Sequence, residues 1–216
     1  MKFRNVLFDF DGTLANTLPL TIHAMQIVFE KYEGRILNHE EIVAMFGPTE
    51  EGMIANNFMN KAKVPEAIEL YFELYEKDHA EFVEQNDEIV ALLKFLKEQG
   101  KKIGLITGKA HRAYLISEEK LGFKGVFDSI ITGDDVSNPK PDPEGINRTL
   151  TKFEADLDSS IYIGDANGDI IAGKAAGIHT AAVQWLPVSQ SNSFPAHPDF
   201  YWTKISQFTD LLKDEH

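Results

Sequence analysis

Val6-Leu7-Phe8-Asp9-Phe10-Asp11-Gly12-Thr13-Leu14 is the stretch that decides how this chain folds. An apolar run rich in β-formers ends in two carboxylates two residues apart, and a glycine follows. Side chains at i and i+2 share one side of a strand. Asp9 and Asp11 are therefore expected together at a strand's carboxyl end, where open α/β sheets place their ligand crevices. Like charges held that close raise each other's pKa unless a cation is present. The pair calls for a metal ion, a lysine, or both.

Working outward, residues 4–9 read as a strand buried on both faces. From Leu18 the apolar residues take helical spacing: Leu18, Ile22, Met25, Phe29, Tyr32. Further helices are expected near 39–46, 50–60 and 65–83, and no strand signal interrupts them. After Gln85-Asn86-Asp87, a return linker, the rhythm alternates. Helices are expected over 88–99, 110–121, 143–153 and 169–176, with strands over 102–107, 129–132, 160–164 and 179–184. Asp142 is the expected N-cap of the third of these helices, with Pro143 at its first position. Phe200–Trp202 reads as a short edge strand and Ile205–Lys213 as a closing helix, with Trp185, Tyr201 and Trp202 packing the final strands. Strands separated by helices of this length imply a parallel sheet. The fold class is α/β: a Rossmann-like parallel-sheet core, residues 1–15 and 85–216, with an inserted all-helical cap over 16–84. A cap hinged beside Asp11 would lie over the crevice.

Composition narrows the function. Of 216 residues, 34 are acidic and 21 basic, for a net charge of −13. That argues against nucleic-acid backbones and anionic membrane surfaces, which need clustered Lys and Arg. An anionic small molecule stays possible, because a local cation inverts the sign of a site. With no cysteine, thiolate nucleophiles, disulfides and cysteine zinc sites are excluded. No leader-like segment or long apolar span is visible, so a soluble cytoplasmic protein, monomer or homodimer, is expected.

Three more stretches fall at strand ends. Ile106-Thr107-Gly108-Lys109 offers a hydroxyl, a glycine amide and a helix N-terminus, a set suited to an anionic oxygen. An ordinary strand-to-helix turn capped by Thr107 accounts for it too. Asn138-Pro139-Lys140-Pro141-Asp142-Pro143 stiffens one lysine with alternating prolines. A preorganised cation there would offset developing charge; an incidental lysine in a rigid loop is the plainer account. Tyr162-Ile163-Gly164-Asp165-Ala166-Asn167-Gly168-Asp169 places Asp165 at the sheet's edge and Asp169 in a first helical turn. Capping explains one of these acids but not both. Phe46-Gly47-Pro48-Thr49-Glu50-Glu51-Gly52, between the helices of the insert, reads either as a Gly-Pro turn with Thr49 as cap or as a loop facing the crevice.

In order and spacing, these stretches resemble the four motifs of the haloacid dehalogenase-like hydrolase superfamily. Asp9-Phe10-Asp11-Gly12-Thr13 resembles the first, Thr107 the second, Lys140 the third, and Gly164-Asp165 with Asp169 the fourth. The resemblance spans essentially the whole chain, including the place of the helical insert. It implies that Asp9 is a nucleophile forming an aspartyl-phosphate. It implies that Asp11 protonates the leaving oxygen and then deprotonates the hydrolytic water. Mg²⁺ would be held by the carboxylates of Asp9 and Asp165 and the backbone carbonyl of Asp11. Thr107 and the Gly108 amide would hold phosphoryl oxygens. Lys140 would offset charge, oriented by Asp169. Gly47 would allow close backbone approach, and Thr49 or Glu50 would contact the leaving group.

Asp11 favours phosphoryl transfer, since dehalogenases of the superfamily lack a carboxylate there. No lysine sits where phosphonate-cleaving relatives carry theirs. The closest overall resemblance is to phosphoglycolate phosphatase-like and bacterial pyrophosphatase-like members. These often carry an acidic residue where this chain has Asn16. The expected activity is a Mg²⁺-dependent phosphatase acting on a small phosphorylated metabolite, phosphoglycolate-like or a similar phosphomonoester. A pyrophosphatase, a sugar phosphomutase and a non-catalytic binding protein are the alternatives. A glutamate facing a bound carboxylate is unfavourable, so an inward Glu50 would count against phosphoglycolate.

Overall fold

The structure, a computed structural model, describes residues 3–213. β1 (Asn5–Phe8) is buried at every position. Strands covered on both faces by helices need apolar residues on both sides, and Val6, Leu7 and Phe8 expose no surface. Four helices follow it: α1 (Leu18–Glu33), α2 (His39–Val43), α3 (Glu50–Asn57) and α4 (Val64–Phe82). The chain then runs α5 (Asp87–Glu98), β2 (Lys102–Ile106), α6 (His111–Leu121) and β3 (Ser129–Ile131). It continues α7 (Glu144–Phe153), β4 (Ser160–Gly164), α8 (Asn167–Ala175), β5 (His179–Val183), β6 (Phe200–Trp202) and α9 (Ile205–Lys213).

The six strands form one parallel sheet in the order β3-β2-β1-β4-β5-β6. The α/β class and the edge position of β6 agree with the sequence reading. β1 pairs with β2 on one side and β4 on the other, with Phe8 opposite Leu105 and Ile163. The direction of strand addition reverses at β1, so a crevice opens beyond the carboxyl ends of β1 and β4. No described helix is long and apolar enough to cross a membrane.

Element ends differ from the periodicity by a few residues, for local reasons. Asp142 does accept a hydrogen bond from the Glu144 amide, at 2.9 Å, but Pro143 holds the N-cap position and α7 begins at Glu144. α8 begins at Asn167 and not at Asp169, because the Asp169 carboxylate reaches back to the Ala166 amide at 2.9 Å. The acid caps its own helix from inside the first turn. In the C-terminal part, Trp202 stacks on Phe208 and Phe200, while Trp185 donates its indole N–H to the Thr13 carbonyl at 2.7 Å. Trp185 thus braces the turn that carries Asp11.

The helical insert packs through α4, which lies against both α1 and α6. Tyr75 and His79 of α4 share the Ser117 hydroxyl of α6, at 2.9 and 3.1 Å. Burial, reinforced by Lys109 and Lys120, pushes the His79 pKa down to about 4. An unfolded histidine titrates near 6.5, so the unfolded chain binds the extra proton between those values. Stability drawn from His79 is present above pH 6.5 and is lost as pH falls toward 4. His79→Gln is expected to be less sensitive to that pH step than the parent protein. Urea unfolding of both proteins at pH 7 and pH 5 checks this; parallel losses would refute it.

Candidate active site

β1 ends at Phe8, and Asp9 continues its ladder by donating its amide to the Ile163 carbonyl at 2.9 Å. Asp9 is buried, with 2% of its surface exposed. The chain then turns at Gly12, whose φ of 81° favours glycine. Space demands it as well: a Cβ there would lie 2.2 Å from Asp165 Oδ2. That close approach sets the Asp9 turn against the end of β4. Asp165, fully buried, accepts hydrogen bonds from the Thr13 hydroxyl at 3.1 Å and the Gln190 amide at 2.6 Å.

Lys140 reaches this pair from the proline-rich loop. Its ammonium donates to Asp9 Oδ1 at 2.7 Å, Asp169 Oδ1 at 2.6 Å and the Tyr162 hydroxyl at 3.1 Å. Tyr162 passes its own proton to the Ile106 carbonyl at 2.8 Å. The ends of β1 and β4, the first turn of α8 and one loop therefore meet at a single ammonium group.

The other acid of the first motif goes elsewhere. Asp11 Oδ1 accepts from the Thr17 hydroxyl and from Lys109 Nζ, the latter at 3.0 Å. Asp9 and Asp11 do not share a cation; each carboxylate has its own lysine. The i, i+2 rule stops applying because the strand ends before Asp9. Lys109 also pairs with Glu50 at 2.8 Å. Glu50 is 4% exposed and points inward from the first turn of α3.

Burial drives the electrostatics. It pushes the Asp9 carboxyl up to about 7; Lys140 opposes that shift while Asp169 adds to it. Burial and the neighbouring Asp9 and Asp169 charges hold Asp165 well above the usual carboxylate range. Burial alone would lower Lys140, but Asp169 and Asp9 outweigh it and hold its ammonium well above the usual lysine value. Four carboxylates (Asp9, Asp11, Glu50 and Asp169) thus share two ammonium groups, and a fifth, Asp165, pairs with neither. Oxygens of Asp9, Asp165 and Asp169 all lie within 4.8 Å of one another. Asp9 Oδ2 is buried and has no hydrogen-bond partner. A hard divalent cation fits this donor set: it takes oxygen ligands and supplies the missing positive charge.

Asp9, Asp11, Thr107, Gly108, Lys140 and Asp169 line one cavity of about 230 Å³, with Gly47 and Glu50 on its far wall. Leu18, Phe46, Pro48 and Met53 give that wall an apolar part. Asp165 sits behind Asp9 and Gly12 and is not part of the lining. Thr49 also lies outside the lining; its hydroxyl accepts from the Gly52 amide at 3.3 Å and caps α3. Thr107 Oγ1 accepts from the Lys109 amide at 3.1 Å, so its turn role and its place at the cavity coexist.

Three residues of the site escape a reading of the sequence. Tyr162 looks like one more apolar strand residue. Gln190 sits in a polar loop that folds back over Asp165, and its side-chain amide donates to the Asp11 carbonyl at 3.3 Å. Lys109 reads as the last residue of a turn. Its partners lie 98 and 59 positions away, so no local signal marks it.

Comparison with known proteins agrees with this fold. The haloacid dehalogenase-like hydrolase family model matches residues 6–183. Pyrophosphatase PpaX of Bacillus thuringiensis (strain Al Hakam) is 31% identical over 214 residues, covering 99% of this chain and 98% of that protein. The structure of CbbY from Rhodobacter sphaeroides in complex with phosphate superposes with a TM-score of 0.81 at 19% identity, covering 95% of this chain and 96% of that one. A hydrolase from Pseudomonas syringae gives 0.78 at 20% identity, with 98% of each chain covered. At those identities the two structures speak for the fold alone.

Proposed function

The chain belongs to the haloacid dehalogenase-like hydrolases, and from that membership we propose a Mg²⁺-dependent phosphatase acting on a small phosphomonoester through Asp9. One observation carries the reading. A partly buried ammonium, that of Lys140, bonds Asp9 and Asp169 at once, and Asp165 completes the acidic cluster around Asp9. A nucleophile held by a fixed cation at the mouth of a sheet is an arrangement suited to phosphoryl transfer.

Asp9 attacks phosphorus, and a P–O bond to its carboxylate forms as the bond to the leaving oxygen breaks. Asp11 hands its proton to that oxygen. Water then attacks the aspartyl-phosphate, Asp11 takes back a proton, and Asp9 is released with inorganic phosphate. Thr107 and the Gly108 amide receive phosphoryl oxygens at the cavity floor. Lys140 limits the charge that builds on Asp9 and on the transferring group. Asp9, Asp165 and the Asp11 carbonyl would hold Mg²⁺, with Asp169 alongside. Bound there, Mg²⁺ supplies the positive charge that a phosphate entering an acid-rich site needs. Residues 16–84 act as a cap whose closure excludes bulk water, and 1–15 with 85–216 form the catalytic core.

The inward Glu50 disfavours a carboxylate on the leaving group, which weighs against phosphoglycolate. The 31% identity to a pyrophosphatase favours pyrophosphate as the second reading. A phosphate-release screen with Mg²⁺ across pyrophosphate, phosphoglycolate, sugar phosphates and nucleotides decides between them. Release from a phosphomonoester with an uncharged leaving group above all others supports the first reading, and preference for pyrophosphate the second. Isomerised sugar phosphate in place of free phosphate would point to a mutase. No release from any compound would overturn the proposal.

A further inference from the structure

On the phosphatase reading above, Lys109 is the more deeply buried of the site's two lysines. Its side chain is 1% exposed, deeper than that of Lys140 at 17%. An ammonium has three N–H donors. Here one goes to Asp11 at 3.0 Å and one to Glu50 at 2.8 Å, and the charge sits 4.7 Å from the centre of the Tyr75 ring. Two of the three donors are thus used inside the protein, and although Lys109 lines the cavity, its side chain leaves only 1% of its surface open. Glu50 is fixed in turn: its second oxygen accepts from the Ala110 amide at 2.7 Å, and Tyr71 donates to its first at 3.4 Å. Glu50, Tyr71 and Tyr75 all come from the helical insert, whereas Asp11, Lys109 and Ala110 belong to the sheet side of the crevice.

We propose that Lys109 is a positioning residue that couples the seating of the helical insert, through Glu50, to the orientation of Asp11. The insert's carboxylate holds the ammonium, and the ammonium holds the group that moves the leaving-group proton. When Glu50 leaves, Lys109 loses one of two anchors and Asp11 loses its fixed partner. Proton transfer is then competent only while the insert is seated.

A leaving-group comparison tests this. An aryl phosphate such as p-nitrophenyl phosphate expels a stable anion and needs little help from a general acid. An alkyl phosphate needs that proton. kcat/KM is measured on p-nitrophenyl phosphate and on the best alkyl phosphate of the screen, for the parent protein, Lys109→Met and Glu50→Gln. General acid catalysis contributes roughly 10²–10⁴-fold, so Lys109→Met should lose at least about tenfold more on the alkyl than on the aryl substrate. Glu50→Gln should shift the ratio the same way by about threefold. Equal losses on both substrates would make Lys109 a structural or binding group and overturn the proposal. A shifted ratio in Lys109→Met with none in Glu50→Gln would overturn the coupling to the insert. If Lys109→Met does not fold, Glu50→Gln decides alone; if neither folds, the pair is structural and the proposal fails. A parent protein inert on both substrates would overturn the phosphatase reading itself.

Discussion

Asp9→Asn is expected to reduce kcat by at least about 10⁴-fold, the scale on which loss of a nucleophile is felt. An amide oxygen is a far weaker nucleophile than a carboxylate, and no other described acid occupies its place. Asp169 is tied to Lys140 and to its own helix. Asp165 is turned toward Thr13 and Gln190. Asp11 faces Lys109 and Thr17. The fold should tolerate the change. Asparagine keeps an oxygen that can accept from Lys140, and it removes a buried charge that Asp169 and Asp11 oppose. The lost ion pair and the relieved desolvation act in opposite directions. The melting temperature should therefore stay within about 4 °C, the shift worth about 1 kcal/mol in a chain of this size. Phosphate release and thermal unfolding on one preparation check both halves. A variant that turns over at near the parental rate would refute the nucleophile, while an unfolded variant would refute the claim that this carboxylate belongs to function and not to the core.

How much of this was legible in advance follows from the range of the interactions. Val6 to Phe8 announce a strand buried on both faces because every residue is apolar, and the sheet order places it at the centre. The run of helices between Leu18 and Phe82 was legible because no strand signal interrupts that stretch. Lys140 stood out because three prolines stiffen its backbone. What stayed hidden depends on pairings across the fold. Glu50 was a candidate for the crevice wall, but its partners Lys109 and Ala110 lie 59 and 60 positions away and nothing local names them. Asp9 and Asp11 look like one site until the chain leaves the strand and sends them to different lysines. Tyr162 fits an apolar strand so well that its hydroxyl, wedged between Lys140 and Ile106, gives no sign in the sequence.

Removing divalent metal should have the second large effect: turnover falls to background in excess EDTA and returns with Mg²⁺. The charge count sets the expectation. Five carboxylates against two ammonium groups leave a site that repels a phosphate dianion, and Lys140 is already shared between Asp9 and Asp169. A cation that binds only the folded state also stabilises it. At about 100 times its Kd the gain is about 2.7 kcal/mol, and for a chain of this length each kcal/mol is worth about 2–4 °C. Mg²⁺ should therefore raise the melting temperature by roughly 5–11 °C. That shift is a binding readout independent of catalysis. Asp165→Asn should lose most of it, whatever its own metal-free stability, because the comparison is made within each protein. The Asp165 carboxylate adds charge to the cluster, and an amide cannot replace that charge. Unchanged turnover in EDTA, or an equal Mg²⁺ shift in Asp165→Asn, would mean that the acids around Asp9 serve some purpose other than holding a cation.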